Sequence, residues 1–280
     1  METHMTARFT LVFLVLTLFF SSSVATAQVE NYRPVTDQML QDPDPADWLN
    51  WRRTLDAQAH SPLDQITADN VGDLRLVWSW ALRAGPQQTT PLVHDGVMYV
   101  ANPGEIVQAI DAATGNLIWE YERGAEAPGN SFGGPPAGRM HRNISMYEDK
   151  IFLNTADAHV VAIDARTGTE VWETDIDQGV GYQFSSGSIV ADGKVVSGLT
   201  GCGRYREESC YIVGLDARSG EELWRTSTIA LPGQRGGDSW GDLPPMFRAG
   251  SDSWIPGSYD PISRTLFHGT SQAKPWARAV

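Results

Sequence analysis

Short apolar stretches recur in pairs along the chain, and each pair is joined by a short polar or glycine-containing turn. Two of these turns are the dipeptides Asp95-Gly96 and Asp192-Gly193, and a third lies near Asp149. Asp-Gly favours a two-residue β-hairpin turn because both positions need a positive φ. The pattern therefore predicts three hairpins, with strands at 91–94 and 97–101, at 144–147 and 150–154, and at 187–191 and 194–198.

Each predicted hairpin is followed by a second pair of strands that carries a repeated motif. The motif reads Ala-x-Asp-x-x-Thr-Gly-x-x-x-Trp in the first two copies, and the third has Gly and Ser at the Ala and Thr positions. The copies end at Trp119, Trp172 and Trp224, which lie 53 and 52 positions apart. A period of about 50 residues built from strands is typical of β-propeller blades, whereas helical repeats are shorter. We therefore predict an all-β propeller of four-stranded antiparallel blades.

The residue types of the motif have a physical explanation. The Asp that ends one strand can accept hydrogen bonds from the amides of the turn, and the Gly supplies the positive φ that closes it. The Trp is large and flat with one N–H donor, so it suits packing between neighbouring blades. We interpret these three Trp residues as structural and not as a cofactor platform.

A fourth unit begins with predicted strands at 254–259 and 265–269, so about three and a half blades are present. Propellers have roughly four to eight blades, and an unclosed ring would leave strand edges unpaired. We therefore expect residues 84–280 to be part of a longer propeller.

Residues 28–83 differ in composition from the blades and form a predicted lead-in segment. Thr67 can cap a short helix that runs to Leu74, and residues 74–82 are predicted to form a strand. We expect this segment to pack on the first sheet or to extend it. Glycine- and proline-rich stretches at 124–138 and 232–245 are predicted at the ends of the ring, where binding sites form.

The N-terminus indicates export. Arg8 precedes an apolar run at 9–20, and Ala25-Thr26-Ala27 is typical of a cleavage site. We predict a signal peptide over 1–27, a periplasmic location and no membrane span after cleavage; an uncleaved N-terminal anchor is the alternative. The net charge of −13 excludes nucleic acid as an expected partner because phosphate would be repelled.

The chain has two cysteines, Cys202 and Cys210. In an oxidising compartment two cysteines permit a disulfide, here across a short loop, and two free thiols are the alternative. Two isolated cysteines cannot form a metal site of the type CxxC…CxxC.

Several separate motifs, in order, carry a resemblance to a known family. The blade repeat resembles the tryptophan docking motif of the pyrroloquinoline quinone (PQQ)-dependent alcohol and methanol dehydrogenases. Asp47-Trp48, residues 61–66 and Thr90-Pro91 are similar to the N-terminal signature of that family, as are residues 236–240 and 257–261. The resemblance extends from about Asp47 to Trp276 and covers an N-terminal portion of the family's chain.

The resemblance implies an eight-bladed propeller that binds PQQ near its axis beside a metal ion, usually Ca²⁺. It implies oxidation of a small alcohol to an aldehyde, with the electrons passed to a cytochrome c. A flat quinone needs an aromatic platform, its carboxylates need Arg and hydroxyl donors, and a hard metal ion needs oxygen ligands.

Five residues match cofactor-binding positions of the family. Trp254 falls where the family places a Trp beneath the plane of PQQ, with a core Trp in a strand as the alternative. Arg142 matches an Arg that contacts the quinone, with an exposed surface Arg as the alternative. Gln88 lies where the family often has Glu, and Ser185 and Thr200 align near hydroxyls that hold the PQQ carboxylates.

The metal-binding positions depart from the family pattern. The usual Glu follows a Gly-Ala pair, but this chain has Gly201-Cys202-Gly203, with Glu207 and Glu208 displaced by an insertion. The usual Asn is replaced by Gln272, whose amide carbonyl is still a possible ligand. The resemblance thus implies Gln272, Glu207 and Glu208 as candidate ligands.

Two further departures concern the active site. The adjacent cysteines that many members carry before the Arg are missing, so His141 or a Cys202–Cys210 bridge would have to cover the second face of the cofactor. The catalytic Asp of the family would lie beyond Val280, so we assign no catalytic residue and expect this 280-residue piece to be inactive alone. The alternative function is a non-catalytic propeller scaffold of the cell envelope, although such scaffolds are normally lipid-anchored and this signal has no acceptor Cys.

Overall fold

The computed structural model describes residues 28–124, 141–176, 181–203 and 210–274. The predicted signal peptide, the candidate ligands Glu207 and Glu208, and nearly all of the stretch at 124–138 lie outside the described residues. The strands are, in chain order, β1 (Gln87–Thr90), β2 (Leu92–His94), β3 (Val97–Asn102), β4 (Ile106–Asp111), β5 (Leu117–Glu122), β6 (His141–Asn143), β7 (Ser145–Tyr147), β8 (Lys150–Asn154), β9 (His159–Asp164), β10 (Glu170–Asp175), β11 (Ile189–Ala191), β12 (Lys194–Gly198), β13 (Tyr211–Asp216), β14 (Glu222–Ser227), β15 (Ala249–Gly250), β16 (Ser258–Asp260), β17 (Thr265–Phe267) and β18 (Ala273–Lys274). The helical elements are α1 (Asp37–Gln41) and 3₁₀ turns at Val71–Asp73, Gly237–Trp240 and Pro245–Phe247. In the part of the chain that is described, no helix is both long enough and apolar enough to span a bilayer.

Twelve strands form three four-stranded antiparallel sheets, here called sheets 1, 2 and 3. Their strand orders are β2-β3-β4-β5, β7-β8-β9-β10 and β11-β12-β13-β14. The three predicted hairpins are confirmed, with bounds that agree to within two residues. The all-β, four-stranded antiparallel character is therefore confirmed, and over the described ranges the sheets do not close into a ring.

The turn chemistry of the motif matches its prediction. The carboxylate of Asp111 accepts hydrogen bonds from the N–H groups of Ala113 at 3.0 Å and Thr114 at 2.8 Å. These bonds from the backbone of the turn hold the pKa of Asp111 below its usual value. The turn glycine of sheet 1, Gly115, has φ +75°, and Gly168 and Gly220 have φ +71° and +75°. Only glycine adopts this region at little cost.

The motif Trp residues occupy equivalent register positions. Trp119 faces Ala109 across the β4–β5 pair, and Trp172 faces Ala162 across the β9–β10 pair. Trp224 faces Gly214, where an added Cβ would lie 2.3 Å from the indole ring. The third copy therefore replaces Ala by Gly because the ring lies directly on its own sheet.

Two motif Trp residues also contact the turn of the following sheet. A Cβ at Gly168 would lie 2.7 Å from the Trp119 ring, and a Cβ at Gly220 would lie 2.6 Å from the Trp172 ring. The indole N–H of Trp119 donates to the carbonyl of Ala165 at 3.1 Å. These glycines are thus required twice, by their φ and by the ring that covers them.

The prediction of a strand over 74–82 is wrong. This segment forms no ladder within the described residues and is held by side chains instead. The indole N–H of Trp78 donates to the carbonyl of Ala112 at 3.0 Å, and that of Trp80 donates to Gln108 Oε1 at 3.0 Å. The segment does pack on sheet 1, as expected, and Trp78 covers Gly115 as Trp119 covers Gly168.

The predicted helix from Thr67 to Leu74 is reduced to the 3₁₀ turn Val71–Asp73. The Thr67 side chain does not cap it; the backbone N–H of Thr67 donates to Asn70 Oδ1 at 2.7 Å. The Asn70 side chain also donates to the carbonyl of Gln65 at 2.8 Å, which forms a compact loop in place of further helical turns.

The rest of the lead-in segment ties the sheets together. Trp48 forms an isolated bridge with Val93 of sheet 1, and Val35 forms one with Glu148 of sheet 2. Buried Asp47 accepts from His94 Nδ1 at 3.0 Å, and His94 Nε2 lies 2.8 Å from the carbonyl of Arg33. Both ring nitrogens of His94 thus face an oxygen acceptor, an arrangement that favours the protonated ring.

The fourth unit is shorter than predicted. Its hairpin pairs β16 with β17, and β15 pairs separately with β18. The predicted strand at 254–259 begins only at Ser258, because Pro256 lacks an N–H for a ladder. Trp254 therefore lies in the loop that precedes the hairpin.

Candidate functional site

Arg142 is the centre of the candidate site. Its Nε donates to Gln88 Oε1 at 3.2 Å, and its Nη1 donates to the backbone carbonyl of Ser185 at 2.6 Å. The guanidinium carbon lies 5.1 Å from the centroid of the Trp254 ring, within the range of a cation–π interaction. The structure therefore brings together four of the five residues predicted to bind the cofactor.

Strand pairing fixes the positions of Arg142 and Gln88. They lie on β6 and β1, which pair in parallel with Gln87 opposite His141 and Thr90 opposite Asn143. Each of these strands leads directly into the first strand of its sheet, β7 and β2. The two side chains thus meet where two neighbouring sheets begin.

Asn143 anchors this region to the segment that carries Ser185. Its Oδ1 accepts from the N–H of Gly187 at 3.1 Å, and its Nδ2 donates to the carbonyl of Ser188 at 3.3 Å. A Cβ at Gly187 would lie 2.0 Å from the carbonyl oxygen of Asn143. Glycine is therefore required for the close approach that places the Ser185 carbonyl against Arg142.

The positive charge of Arg142 is partly withdrawn from water and is not paired with a carboxylate of the described residues. The side chain is half-buried, and burial lowers the pKa of its guanidinium from the usual value. Across the described ranges no carboxylate forms an ion pair with Arg142. A half-buried cation without a counter-ion can bind an anionic ligand without first breaking an ion pair.

Trp254 provides an accessible aromatic surface. Its side chain is 44% exposed although the residues on either side of its loop, Ser253 and Pro256, are buried. It borders a cleft of about 320 Å³ that is also lined by residues 269–272. The interpretation of Trp254 as a core residue in a strand is wrong, because the ring faces this cleft.

Thr200 is not brought to the Arg142 group by any contact that the structure shows. Its hydroxyl donates to the carbonyl of Gln183 at 3.0 Å, and its backbone forms a bridge with the same residue. The hydroxyl of Thr200 is thus engaged within its own loop.

Cys202 and Cys210 form the predicted disulfide, with Cα atoms 5.4 Å apart. Both residues are buried. The backbone N–H of Cys202 lies 3.2 Å from Asp252 Oδ1, and that of Gly201 lies 2.9 Å from the same oxygen. The disulfide loop therefore presents two N–H donors to one carboxylate.

Asp252 was not predicted from the sequence, because no motif surrounds it. The residue is 7% exposed, and its carboxylate forms an ion pair with Lys274 Nζ at 2.6 Å. Burial alone would raise the pKa of Asp252, but the bonds from Lys274 and from the two backbone N–H groups outweigh it, and the pKa is lowered. Asp252 is thus a buried carboxylate with a cationic partner, two residues before Trp254.

The predicted metal ligands do not form a ligand set within the described residues. Gln272 is exposed, and Glu207 and Glu208 lie outside those residues. Among the described residues, one group of three metal-binding side chains lies close together, and it consists of Asp47, His94 and Asp95. These three are already bonded to one another and to Arg33. Within the described residues, therefore, no open set of side chains fits a metal ion.

The sequence profile of the PQQ-dependent glucose/ethanol/alcohol dehydrogenase β-propeller domain matches residues 48–276. The chain belongs to this family. The quinohemoprotein alcohol dehydrogenase ADH-IIG of Pseudomonas putida is 32% identical over 248 residues, which are 84% of this chain and 34% of the relative. The quinoprotein alcohol dehydrogenase PedH of Pseudomonas putida is 30% identical over 285 residues, 94% of this chain and 46% of the relative.

Solved structures of this quinoprotein family agree with the fold. The structure of ADHIIG from Pseudomonas putida superposes with a TM-score of 0.75 at 30% identity, over 87% of this chain and 37% of that chain. A europium-containing methanol dehydrogenase superposes with a TM-score of 0.70 at 23% identity, over 86% of this chain and 45% of that chain, and supports the fold alone. The chain spans about a third to a half of the length of these quinoprotein relatives.

Proposed function

We propose that this chain is the N-terminal part of a periplasmic PQQ-dependent alcohol dehydrogenase that oxidises a small alcohol to an aldehyde. In this proposal the electrons pass to a cytochrome c, and the complete protein is an eight-bladed propeller with tryptophan docking between blades. Family membership supports the class of enzyme, and the similarity to alcohol dehydrogenases supports an alcohol as the substrate. The observation that carries the proposal is the half-buried Arg142 guanidinium, 5.1 Å from the centroid of the exposed Trp254 ring.

The residues at the candidate site fit PQQ, a flat quinone with carboxylate groups. Trp254 offers an exposed aromatic face to a planar ring. Arg142 offers a guanidinium to an anionic or carbonyl oxygen. When bound, PQQ supplies the two-electron acceptor that the amino acids themselves lack.

The remaining residues orient Arg142. The Ser185 carbonyl and the Gln88 side chain accept from two different nitrogens of the guanidinium, which fixes its plane. The partial burial of Arg142 strengthens its attraction for a negative charge because fewer water molecules screen it. We propose that Thr200 takes part only if its bond to Gln183 is released. No catalytic base is assigned to residues of this chain, and we propose that the chain alone does not turn over alcohol.

A fluorescence titration with PQQ tests the proposal. The titration uses the longest natural protein that contains this sequence, and the 280-residue chain is measured in parallel. We expect saturable quenching that is lost or weakened about 10- to 100-fold in Arg142→Met, since a hydrogen bond to a charged group contributes ~1.5–3 kcal/mol. Arg218→Met is the matched control, because Arg218 is exposed and its ion pair is with Glu148, which is not one of the residues predicted to bind the cofactor.

The absence of saturable quenching in the longest chain would contradict PQQ binding and favour the non-catalytic scaffold. A dye-linked assay with short alcohols on the same protein then separates an enzyme from a cofactor-binding protein without turnover. N-terminal sequencing of the periplasmic protein tests the proposed location, because cleavage after Ala27 leaves Gln28 as the first residue.

A further inference from the structure

The two segments that the family resemblance assigns to the metal ion meet at Asp252. One segment is the loop Gly201-Cys202-Gly203, and the other is the loop that ends at Gln272. The N–H groups of Gly201 and Cys202 donate to Asp252 Oδ1 at 2.9 and 3.2 Å. On the other side, the N–H of Ser271 donates to the backbone carbonyl of Asp252 at 2.8 Å. Asp252 therefore lies between the two segments and binds both of them.

The acceptor capacity of the Asp252 carboxylate is already used. A carboxylate offers about four acceptor positions. Gly201 and Cys202 contact Oδ1, whereas Lys274 Nζ at 2.6 Å and Ser271 Oγ at 3.4 Å contact Oδ2. A metal ion bound by this carboxylate would have to displace the ammonium group of Lys274.

Among the described residues, Lys274 balances the charge of Asp252. Asp252 is 7% exposed, so its carboxylate is largely withdrawn from water, whereas the side chain of Lys274 is 32% exposed. A buried carboxylate needs a positive partner, because the cost of removing an unpaired charge from water is large. Lys274 provides that partner, and Asp252 belongs to no group of three or more metal-binding side chains among the described residues.

We propose that the ammonium group of Lys274 replaces the metal ion of this site, so that the chain holds its cofactor pocket together without Ca²⁺ or a lanthanide. The inference rests on the proposed function only for the identity of the pocket. The Asp252–Lys274 pair itself is a property of the apoprotein and can be tested without PQQ.

Thermal unfolding with and without Ca²⁺ tests the replacement. For the wild-type chain we expect the same Tm in excess chelator and in millimolar Ca²⁺. Lys274→Met removes the ammonium and leaves Asp252 unpaired, so its Tm should fall in chelator and rise again by at least about 2 °C when Ca²⁺ is added. In Lys274→Met combined with Asp252→Asn, Ca²⁺ should have no effect, because no carboxylate remains to bind it.

A second measurement keeps the test decisive if Lys274→Met folds poorly. Tb³⁺ luminescence excited through Trp254 should show no saturable site in the wild type. It should show one in Lys274→Glu, where two carboxylates and the Gln272 carbonyl can surround the ion. A wild-type Tm that falls in chelator and recovers with Ca²⁺ would overturn the proposal, especially if Glu207→Gln or Glu208→Gln removes the response. Lysine variants that neither respond to Ca²⁺ nor acquire a Tb³⁺ site would also overturn it. Failure of PQQ to bind would contradict the proposed function and leave this result unchanged.

Discussion

The indole ring of Trp119 covers Gly168, the turn glycine of the motif in the next sheet. The two are so close that an added methyl group on Gly168 would lie 2.7 Å from the ring. The same relationship joins Trp172 to Gly220 and, ahead of the sheets, Trp78 to Gly115. A spacing that first appears as a repeat in the sequence is therefore also a repeated contact between neighbouring sheets.

Gly168→Ala should destabilise the protein more than Gly96→Ala. Both glycines have positive φ, +71° and +78°, and an alanine in that region costs about 1–2 kcal/mol. A Cβ at Gly96 meets nothing within 4 Å, whereas at Gly168 it overlaps Trp119 and should cost a further ~1–3 kcal/mol. Urea unfolding of the two variants measures the difference; equal losses would mean that the indole does not cover the turn in solution.

Arg123→Met should be among the most destabilising single changes in the chain. The side chain of Arg123 is 8% exposed and joins Glu105 of sheet 1 to Asp157 and Glu173 of sheet 2. Its removal takes away the guanidinium that joins these three carboxylates, and breaking a buried pair costs about 3–5 kcal/mol. The unfolding free energy is measured in urea, with the exposed pair Arg218–Glu148 as the control. A loss in Arg123→Met no greater than in Arg218→Met would show that the cluster is solvated.

The contribution of His94 to stability should decrease as the pH rises. Burial alone would lower the pKa of His94, but the bonds to Asp47 and to the Arg33 carbonyl outweigh it, and the pKa is raised. A raised pKa in the folded state gives stability that is complete below the unfolded value of about 6.5 and is lost as the pH rises through the folded value. The difference in unfolding free energy between wild type and His94→Gln should therefore be largest near pH 6 and smaller near pH 9.

The matched control for that series is His60→Gln, because His60 is exposed. Its unfolding free energy should follow that of the wild type at every pH. A constant difference between wild type and His94→Gln across the range would show that His94 is neutral in the folded protein and that Asp47 accepts no proton-dependent bond from it.

Reduction of the Cys202–Cys210 disulfide should lower the unfolding free energy by about 2–3 kcal/mol, from the loop entropy of the unfolded chain. The two residues are eight positions apart, so the loop is short. Oxidised and dithiothreitol-treated wild type are compared in urea, and Cys202→Ala/Cys210→Ala should be insensitive to the reductant. A wild type that is equally stable in both states would indicate that the bond does not form in the isolated protein.

Features that depend on local chemistry were predictable from the sequence. Asp95-Gly96 and Asp192-Gly193 specify their turns by the φ values that they tolerate, and the motif carries its own Asp and Gly. The disulfide was predictable because two cysteines allow one pairing. Gln88, Arg142, Ser185 and Trp254 were found through resemblance, and their mutual contacts depend on the packing of several sheets.

Features that depend on distant partners were missed. Residues 74–82 have an alternation typical of a strand, but they form no ladder. The indole N–H groups of Trp78 and Trp80 instead hold the segment on sheet 1 through hydrogen bonds. Asp252 and Lys274 are 22 positions apart, Asp252 just after β15 and Lys274 at the end of its partner β18, and neither has a motif that marks it. Such a pair becomes visible only when the fold places both side chains at one point.

Sheet 2 packs against another four-stranded sheet on each side. The Trp119 ring of sheet 1 covers the turn of sheet 2 at Gly168, and the Trp172 ring of sheet 2 covers the turn of sheet 3 at Gly220. When repeated units contact their nearest neighbours, the stability of the array is approximately a sum of contributions from each unit and from each interface between neighbours. Amide protons of β8 and β9, whose side chains are almost fully buried, should consequently exchange with deuterium more slowly than those of any outer strand.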